Sequence, residues 1–204
     1  MSVDKPIIGL CGGIGAGKSR VAAEFERLGC VVISSDQVNH EVLRRPEIIR
    51  TIRGWWGATV VTPDGEPDHR RIAEIIFADE QEKRRLEALV HPLIVERQAA
   101  MINAVRDSAT IKAIVIDSPL LLECNLDRQC DWIVFVDASE ATRLQRLEKQ
   151  RGWTAAELRR RENWQIPLLE KRRRADFVID NDGPDEQLRP QVADILQAVL
   201  AQHS

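Results

Sequence analysis

Gly12-Gly13-Ile14-Gly15-Ala16-Gly17-Lys18-Ser19 follows directly on the apolar run Ile7-Ile8-Gly9-Leu10-Cys11. The spacing G-x-x-x-x-G-K-S predicts a strand, a glycine-rich turn and a helix whose first backbone N–H groups face an anion. Gly12, Gly15 and Gly17 let the backbone approach phosphate oxygens, with Gly13, Ile14 and Ala16 completing the cradle. Lys18 supplies a point charge for the β- and γ-phosphates of a nucleotide, and the Ser19 hydroxyl is the expected ligand of its Mg²⁺. The flanks agree with this reading. Val21, Ala22, Phe25 and Leu28 recur on one helical face, and Gly29 stands where a helix-terminating glycine belongs.

The rest of the composition sets bounds. A chain of 204 residues, 44% hydrophobic and 30% charged, fits one α/β core with room for inserted elements. Met1-Ser2-Val3-Asp4-Lys5 does not lead into an apolar leader, and no run of about 18 apolar residues occurs, so a cytoplasmic protein that spans no membrane is expected. Cys11, Cys30, Cys124 and Cys130 form no C-x-x-C pair, which favours reduced thiols over a disulfide framework or a zinc site. Charge is uneven. Arg143 to Arg174 holds eleven Lys or Arg against four Glu, a net +7, which leaves −10 on the remainder of a chain at −3 overall. Such a block is either a solvated helix face or a surface for phosphate, and the loop at Gly12 favours nucleotide contact.

Five short apolar runs read as buried strands: Ile7 to Cys11, Val31 to Ile33, Ala113 to Ile116, Trp132 to Val136 and Phe177 to Ile179. Helical patterns separate them, which predicts an α/β fold with a doubly wound parallel five-stranded sheet. Residues 41–106 are the exception, a long helical insertion with apolar positions at Ile72, Ile75, Ile76, Leu86, Leu89 and Val90. Within it Pro92 should stop one helix near His91 and begin another. Thr62-Pro63-Asp64-Gly65 reads as a turn. Trp55 and Trp56 read first as filling a small core and second as a stacking surface for a base. Gly152, before a helical stretch from Ala155 to Trp164, suggests an arm hinged at a glycine.

Phosphoryl transfer needs aligned oxygens, neutralised charge and an oriented acceptor hydroxyl. Asp36 follows the second strand and should lie on the sheet edge that carries the loop, where it either serves the acceptor or metal or caps a helix. Asp117 ends the third strand, a common place for a metal-holding carboxylate, here directly or through water. Asp137, after the fourth strand, reads as a turn or helix-start residue. Arg143, Arg146, Arg151 and Arg161 are candidates to clamp transferring phosphate. Lys171-Arg172-Arg173-Arg174 reads as a solvated helix end, and His91 as a local structural residue beside Pro92.

Taken together these pieces resemble the dephospho-coenzyme A kinase family over nearly the whole chain. The resemblance rests on Gly9 to Ser19, Ser35-Asp36, Asp68 to Phe77, Leu89-Val90-His91-Pro92, Asp117 to Glu123, Arg161 with Gln165, and Ala175 to Asn181. It implies a P-loop kinase core at about 1–40, 107–140 and 175–204, a helical acceptor-binding insertion at about 41–106 and a lid at about 141–174. It further implies ATP- and Mg²⁺-dependent phosphorylation of the ribose 3′-hydroxyl of dephospho-CoA, with no nucleic-acid or membrane partner. Asp36 then matches the acidic residue near the acceptor hydroxyl, and Lys18 and Ser19 match the ATP and Mg²⁺ contacts. His91, Pro92 and Pro119 fall in acceptor-binding segments, and Asn181 beside the adenine pocket. The family pattern D-A-D is Ser34-Ser35-Asp36 here, so only Asp36 inherits a carboxylate role. L-D-R is Pro67-Asp68-His69-Arg70, which leaves His69 or Arg70 to serve the acceptor. Gln150 stands where a basic residue is common in the lid, with Arg151 next to it. Two other readings stay open at this level: a kinase of another small hydroxyl acceptor such as a nucleoside or nucleotide, and a non-catalytic nucleotide-dependent binding protein.

Overall fold

A computed structural model describes residues 5–203, so the leader reading above falls, apart from Lys5, outside the described residues. The chain begins with β1 (Ile7–Gly12), α1 (Lys18–Arg27) and β2 (Val31–Ser34), then continues through α2 (Ser35–Leu43), α3 (Pro46–Trp56), α4 (His69–Ala78) and α5 (Glu80–Arg106). It returns as β3 (Ile114–Asp117) and β4 (Trp132–Asp137), runs through α6 (Glu140–Arg151), α7 (Ala155–Glu162) and α8 (Leu168–Arg173), and closes with β5 (Phe177–Asp180) and α9 (Asp185–Gln202). Two compact units emerge among the described residues: 5–34 with 103–203, and 35–102.

The first unit is built on a five-stranded sheet in the order β2-β3-β1-β4-β5. All of its pairings are parallel. The Val- and Ile-rich runs form these strands because a sheet covered by helices on both faces buries consecutive side chains, not alternate ones. β3 starts one residue later than the apolar run suggested and takes in Asp117, which pairs in register with Leu10 and Ser34. Val21, Ala22 and Phe25 of α1 and Leu188, Val192 and Val199 of α9 pack with Ile8, Leu10, Val134 and Val136 in one apolar cluster. At about 1.5–3 kcal/mol per large buried side chain, this cluster anchors β1 and hence the loop that follows it.

The second unit is helical, with a 3-10 turn at Ala58–Val60 and one isolated antiparallel bridge, Val61 to Pro67. Thr62 to Gly65 makes the expected turn, closed by the Gly65 N–H donating to the Thr62 carbonyl at 2.9 Å. One expectation is corrected here. α5 does not stop at His91 but runs unbroken through Pro92. Leu86, Val90, Gln98 and Ile102 form a buried stripe along its whole length, and that packing outweighs the hydrogen bond which proline cannot make. The carbonyl deprived of its donor belongs to Ala88, an exposed residue, so water can satisfy it. No helix among the described residues is long and apolar enough to cross a membrane.

Candidate active site

β1 delivers the chain at Gly12 into a loop whose carbonyl side is fully engaged. Arg143 Nη1 donates to the Ile14 carbonyl at 3.2 Å, and Arg146 Nη1 to the Ala16 carbonyl at 3.1 Å. Asn181 Nδ2 also donates to the Ala16 carbonyl, at 2.6 Å. In a planar trans peptide the N–H points opposite to the C=O, so these bonds turn the N–H groups of Gly15 and Gly17 to the other side, forming an anion cradle. Gly17 caps α1 in the left-handed region, φ 86°, with no side-chain cap bond. A side chain there would be strained and would run into Asn181, so Gly17 is required twice over.

Asn181 is buried and uses every polar group. Its N–H donates to the Asp137 carbonyl, its side-chain oxygen accepts from Arg20 at 2.8 Å, and its carbonyl accepts from Arg146 Nη2 at 2.7 Å. Partial burial, then the like charge of Arg20, lower the pKa of Arg146 below the ordinary guanidinium value, while Asp182 acts in the opposite sense. Cationic groups thus gather behind and beside the loop, which favours an anion in front of it.

On the next strand over, Asp117 is 8% exposed and its Oδ2 accepts from the Ser19 hydroxyl at 3.2 Å. A hydroxyl and a carboxylate side by side are hard oxygen donors of the kind Mg²⁺ takes, so the residues present fit that ion. Among the described residues no group of three or more His, Cys, Asp or Glu could hold a metal. Burial pushes the Cys11 thiol up to about 11, and the nearby charges of Lys171 and Lys18 pull the other way. At that value the thiol stays protonated and is no nucleophile.

The basic block resolves into distinct parts. Arg143 and Arg146 reach the loop, whereas Arg151 and Arg161 lie over the Trp153 ring at 5.1 and 4.2 Å. Gly152 ends α6 in the left-handed conformation, φ 66°. Pro119 opens the turn after β3. Asp137, read as a turn or helix-start residue, is instead the last residue of β4, ion-paired with Arg172.

Lys171 is also corrected. It is not part of a solvated helix end but is 1% exposed, with its ammonium 2.7 Å from Glu123 and 3.1 Å from the Gln165 side-chain oxygen. Glu123 Oε1 accepts the Ile166 N–H as well, at 3.0 Å. This pair ties the end of the basic block to the segment that follows Asp117. Replacing Lys171 by Met strands a buried carboxylate and should cost about 3–5 kcal/mol in urea unfolding, whereas the double change with Glu123→Leu should restore most of it. A single-variant loss below about 1 kcal/mol would show that the pair contributes no more than an exposed one.

In the helical unit, Asp36 is the second residue of α2, exposed, and so lies within the helix and not at its cap position. Ser35, one of the two departures from the acidic pattern, accepts a hydrogen bond from the buried Gln98 of α5 at 3.0 Å. The start of α2 is thereby fixed against α5, a second tie being Arg97 to Glu41 at 2.9 Å. Arg70 is turned to solvent and pairs with Glu74 of its own helix. His91 and Pro92 are both exposed. Trp55 and Trp56 are half-buried and pinned to the first turns of α5, Trp55 under Arg85 at 4.0 Å and Trp56 by its Nε1 to Glu82 at 2.6 Å.

His69 packs against His40, the ring centroids 4.3 Å apart and the planes tilted by 44°. Partial burial, then the charges of His40 and Arg44, lower its pKa from 6.5, against the opposite pull of Asp68 and Glu66. Below 6.5 the unfolded chain therefore holds more protons than the folded one. The stability owed to neutral His69 is full above 6.5 and is lost as pH falls through its lower folded value. A proton-NMR titration should place the His69 midpoint below 6.5 and move it upward in His40→Ala; a midpoint at or above 6.5 would contradict the cause given.

Several residues of the site carry no signal in the sequence. Arg20 clamps Asn181, the Gly183 carbonyl and Asp185, yet reads as an ordinary surface residue of α1. Asp182 accepts the Ser139 N–H at the start of α6, and Glu162 pairs with Arg143.

The family model described as dephospho-CoA kinase matches residues 6–187 of this chain. The chain belongs to the dephospho-CoA kinase family. A relative from Syntrophotalea carbinolica (strain DSM 2380 / NBRC 103641 / GraBd1), named dephospho-CoA kinase, is 40% identical over 200 residues, covering 95% of this chain and 92% of that protein. Another of that name, from Thermobifida fusca (strain YX), is 37% identical over 189 residues, covering 92% and 93%. Among solved structures, TT1252 from Thermus thermophilus superposes with a TM-score of 0.80 at 30% identity, over 98% of this chain and 99% of that one. The parallel sheet with its flanking helices is therefore that of a P-loop kinase of the dephospho-CoA kinase family.

Proposed function

We propose that this chain transfers the γ-phosphoryl group of ATP to the ribose 3′-hydroxyl of dephospho-CoA, forming coenzyme A and ADP in the cytoplasm. The observation that carries the reading is the engaged loop, its carbonyls held by Arg143, Arg146 and Asn181, in a family member. Lys18 sits against the β- and γ-phosphates, and Arg143 and Arg146 spread positive charge over the transferring group. Ser19 and Asp117 would hold Mg²⁺, which when bound neutralises charge on the phosphate oxygens.

Asp36 accepts the proton of the 3′-hydroxyl as that oxygen bonds to the γ-phosphorus and the bond to the β–γ bridging oxygen breaks. His69 or Arg70, with His91, Pro92 and Pro119, serve the acceptor. Residues 41–106 act as the acceptor-binding insertion, and residues 141–174 as a lid that excludes water as a competing acceptor. An acceptor panel with ATP tests the substrate: dephospho-CoA should be phosphorylated far faster than adenosine, AMP or shikimate. Equal rates on a nucleoside would make this a kinase of a different acceptor.

A further inference from the structure

Arg143 is 4% exposed and lies against the loop, its guanidinium carbon 3.2 Å from where a Gly13 side chain would begin. Both of its hydrogen bonds leave from one nitrogen: Nη1 donates to the Ile14 carbonyl and to the Glu162 carboxylate. Nε is buried with no hydrogen-bond partner among the described residues. A buried, unpaired N–H on a charged group is costly unless an acceptor is supplied. In a planar guanidinium the Nε–H and one Nη2–H share an edge, the side-on fork that matches two oxygens of a phosphate.

Glu162 is well placed to hold that edge in a fixed direction. It ends α7, whose start is capped by the Thr154 hydroxyl and whose Leu158 is fully buried, so the carboxylate is carried on an anchored helix. Its charge also offsets the repulsion that Arg143 meets from Arg146, which shares the loop with it. We infer that Glu162 is a positioning residue: together with the Ile14 carbonyl it fixes Nη1 of Arg143 so that the Nε–Nη2 edge faces a nucleotide phosphate. The inference rests on the nucleotide reading above and adds to it the residue that orients the phosphate fork.

The test combines steady-state kinetics with calorimetric titration of ATP·Mg²⁺ into the full-length protein. Glu162→Ala should lower kcat about a hundredfold through misplacement of the fork, with the KM for dephospho-CoA unchanged. Glu162→Gln keeps an acceptor oxygen in place and should recover kcat to within about tenfold of the parent. Affinity for ATP·Mg²⁺ should fall in Glu162→Ala, and in an Arg143→Met background the second change should have no further effect on either quantity. A folded Glu162→Ala protein with parental kcat and ATP affinity would overturn the inference. So would an equal loss in the Arg143→Met background, because Glu162 would then act independently of Arg143. If the parent binds ATP but forms no coenzyme A, the acceptor reading fails, and the calorimetric cycle still decides the role of Glu162.

Discussion

Replacing Lys18 by Ala is expected to lower kcat by about a hundredfold to a thousandfold, the range typical for removing one preorganised donor from developing charge. Stability should change little. Lys18 is the first residue of α1, at the positive end of the helix dipole, and Arg143 and Arg146 bond the same loop. Without an anion, a cation there is unfavourable, and Ala is the better helix former. The thermal midpoint of the nucleotide-free variant should therefore stay close to that of the parent. The rise in midpoint that saturating ATP·Mg²⁺ gives the parent should shrink, since a weaker ligand stabilises less at fixed concentration. A variant that loses stability in step with activity would instead make Lys18 a structural residue.

The second large effect belongs to Asp36. Asp36→Asn should lower kcat by about 10²- to 10⁴-fold, the usual contribution of a general base, and leave the affinity for ATP nearly unchanged. Asp36 is exposed in the first turn of α2, and the hydrogen bond that fixes this end of the helix is the one Gln98 donates to the Ser35 hydroxyl, not one to Asp36. The variant should accordingly fold as the parent does, apart from a small loss of dipole stabilisation of about 0.3–1 kcal/mol. Near-normal turnover by a folded Asp36→Asn protein would remove Asp36 from the mechanism and leave proton acceptance to another group.

The parts legible from sequence are those governed by local rules. The loop declares itself because glycine adopts without strain the φ values of 78° at Gly15 and 86° at Gly17, which other residues rarely take. The parallel sheet follows from short Val- and Ile-rich runs such as Ile114 to Ile116, which are buried on both faces. Asp117 is legible as the end of the third strand because a short apolar run closes on it.

What stayed hidden depends on partners distant in the chain. Pro92 is a helix breaker by local rules, yet the buried stripe from Leu86 to Ile102 carries α5 across it. Lys171 sits in a run of four basic residues, which resembles a solvated face until Glu123, 48 positions away, supplies its counter-charge. Glu162 is masked in the same way. Within Arg159-Arg160-Arg161-Glu162 it looks like a neutralising surface residue, and only the packing of α6 against the loop shows that it takes Arg143. Ser35 explains part of its own departure from the family pattern, since its hydroxyl receives Gln98 where alanine could not.

The central claim is that the loop of Gly12 to Ser19 is the donor half of a kinase acting on dephospho-CoA. Its most direct test is to incubate the purified chain with ATP, Mg²⁺ and dephospho-CoA, then identify the product by mass and locate the new phosphate by phosphorus and proton NMR. The account predicts coenzyme A, phosphorylated at the ribose 3′-oxygen and formed one for one with ADP. ADP with inorganic phosphate and unchanged dephospho-CoA, or phosphate at another oxygen, would contradict it.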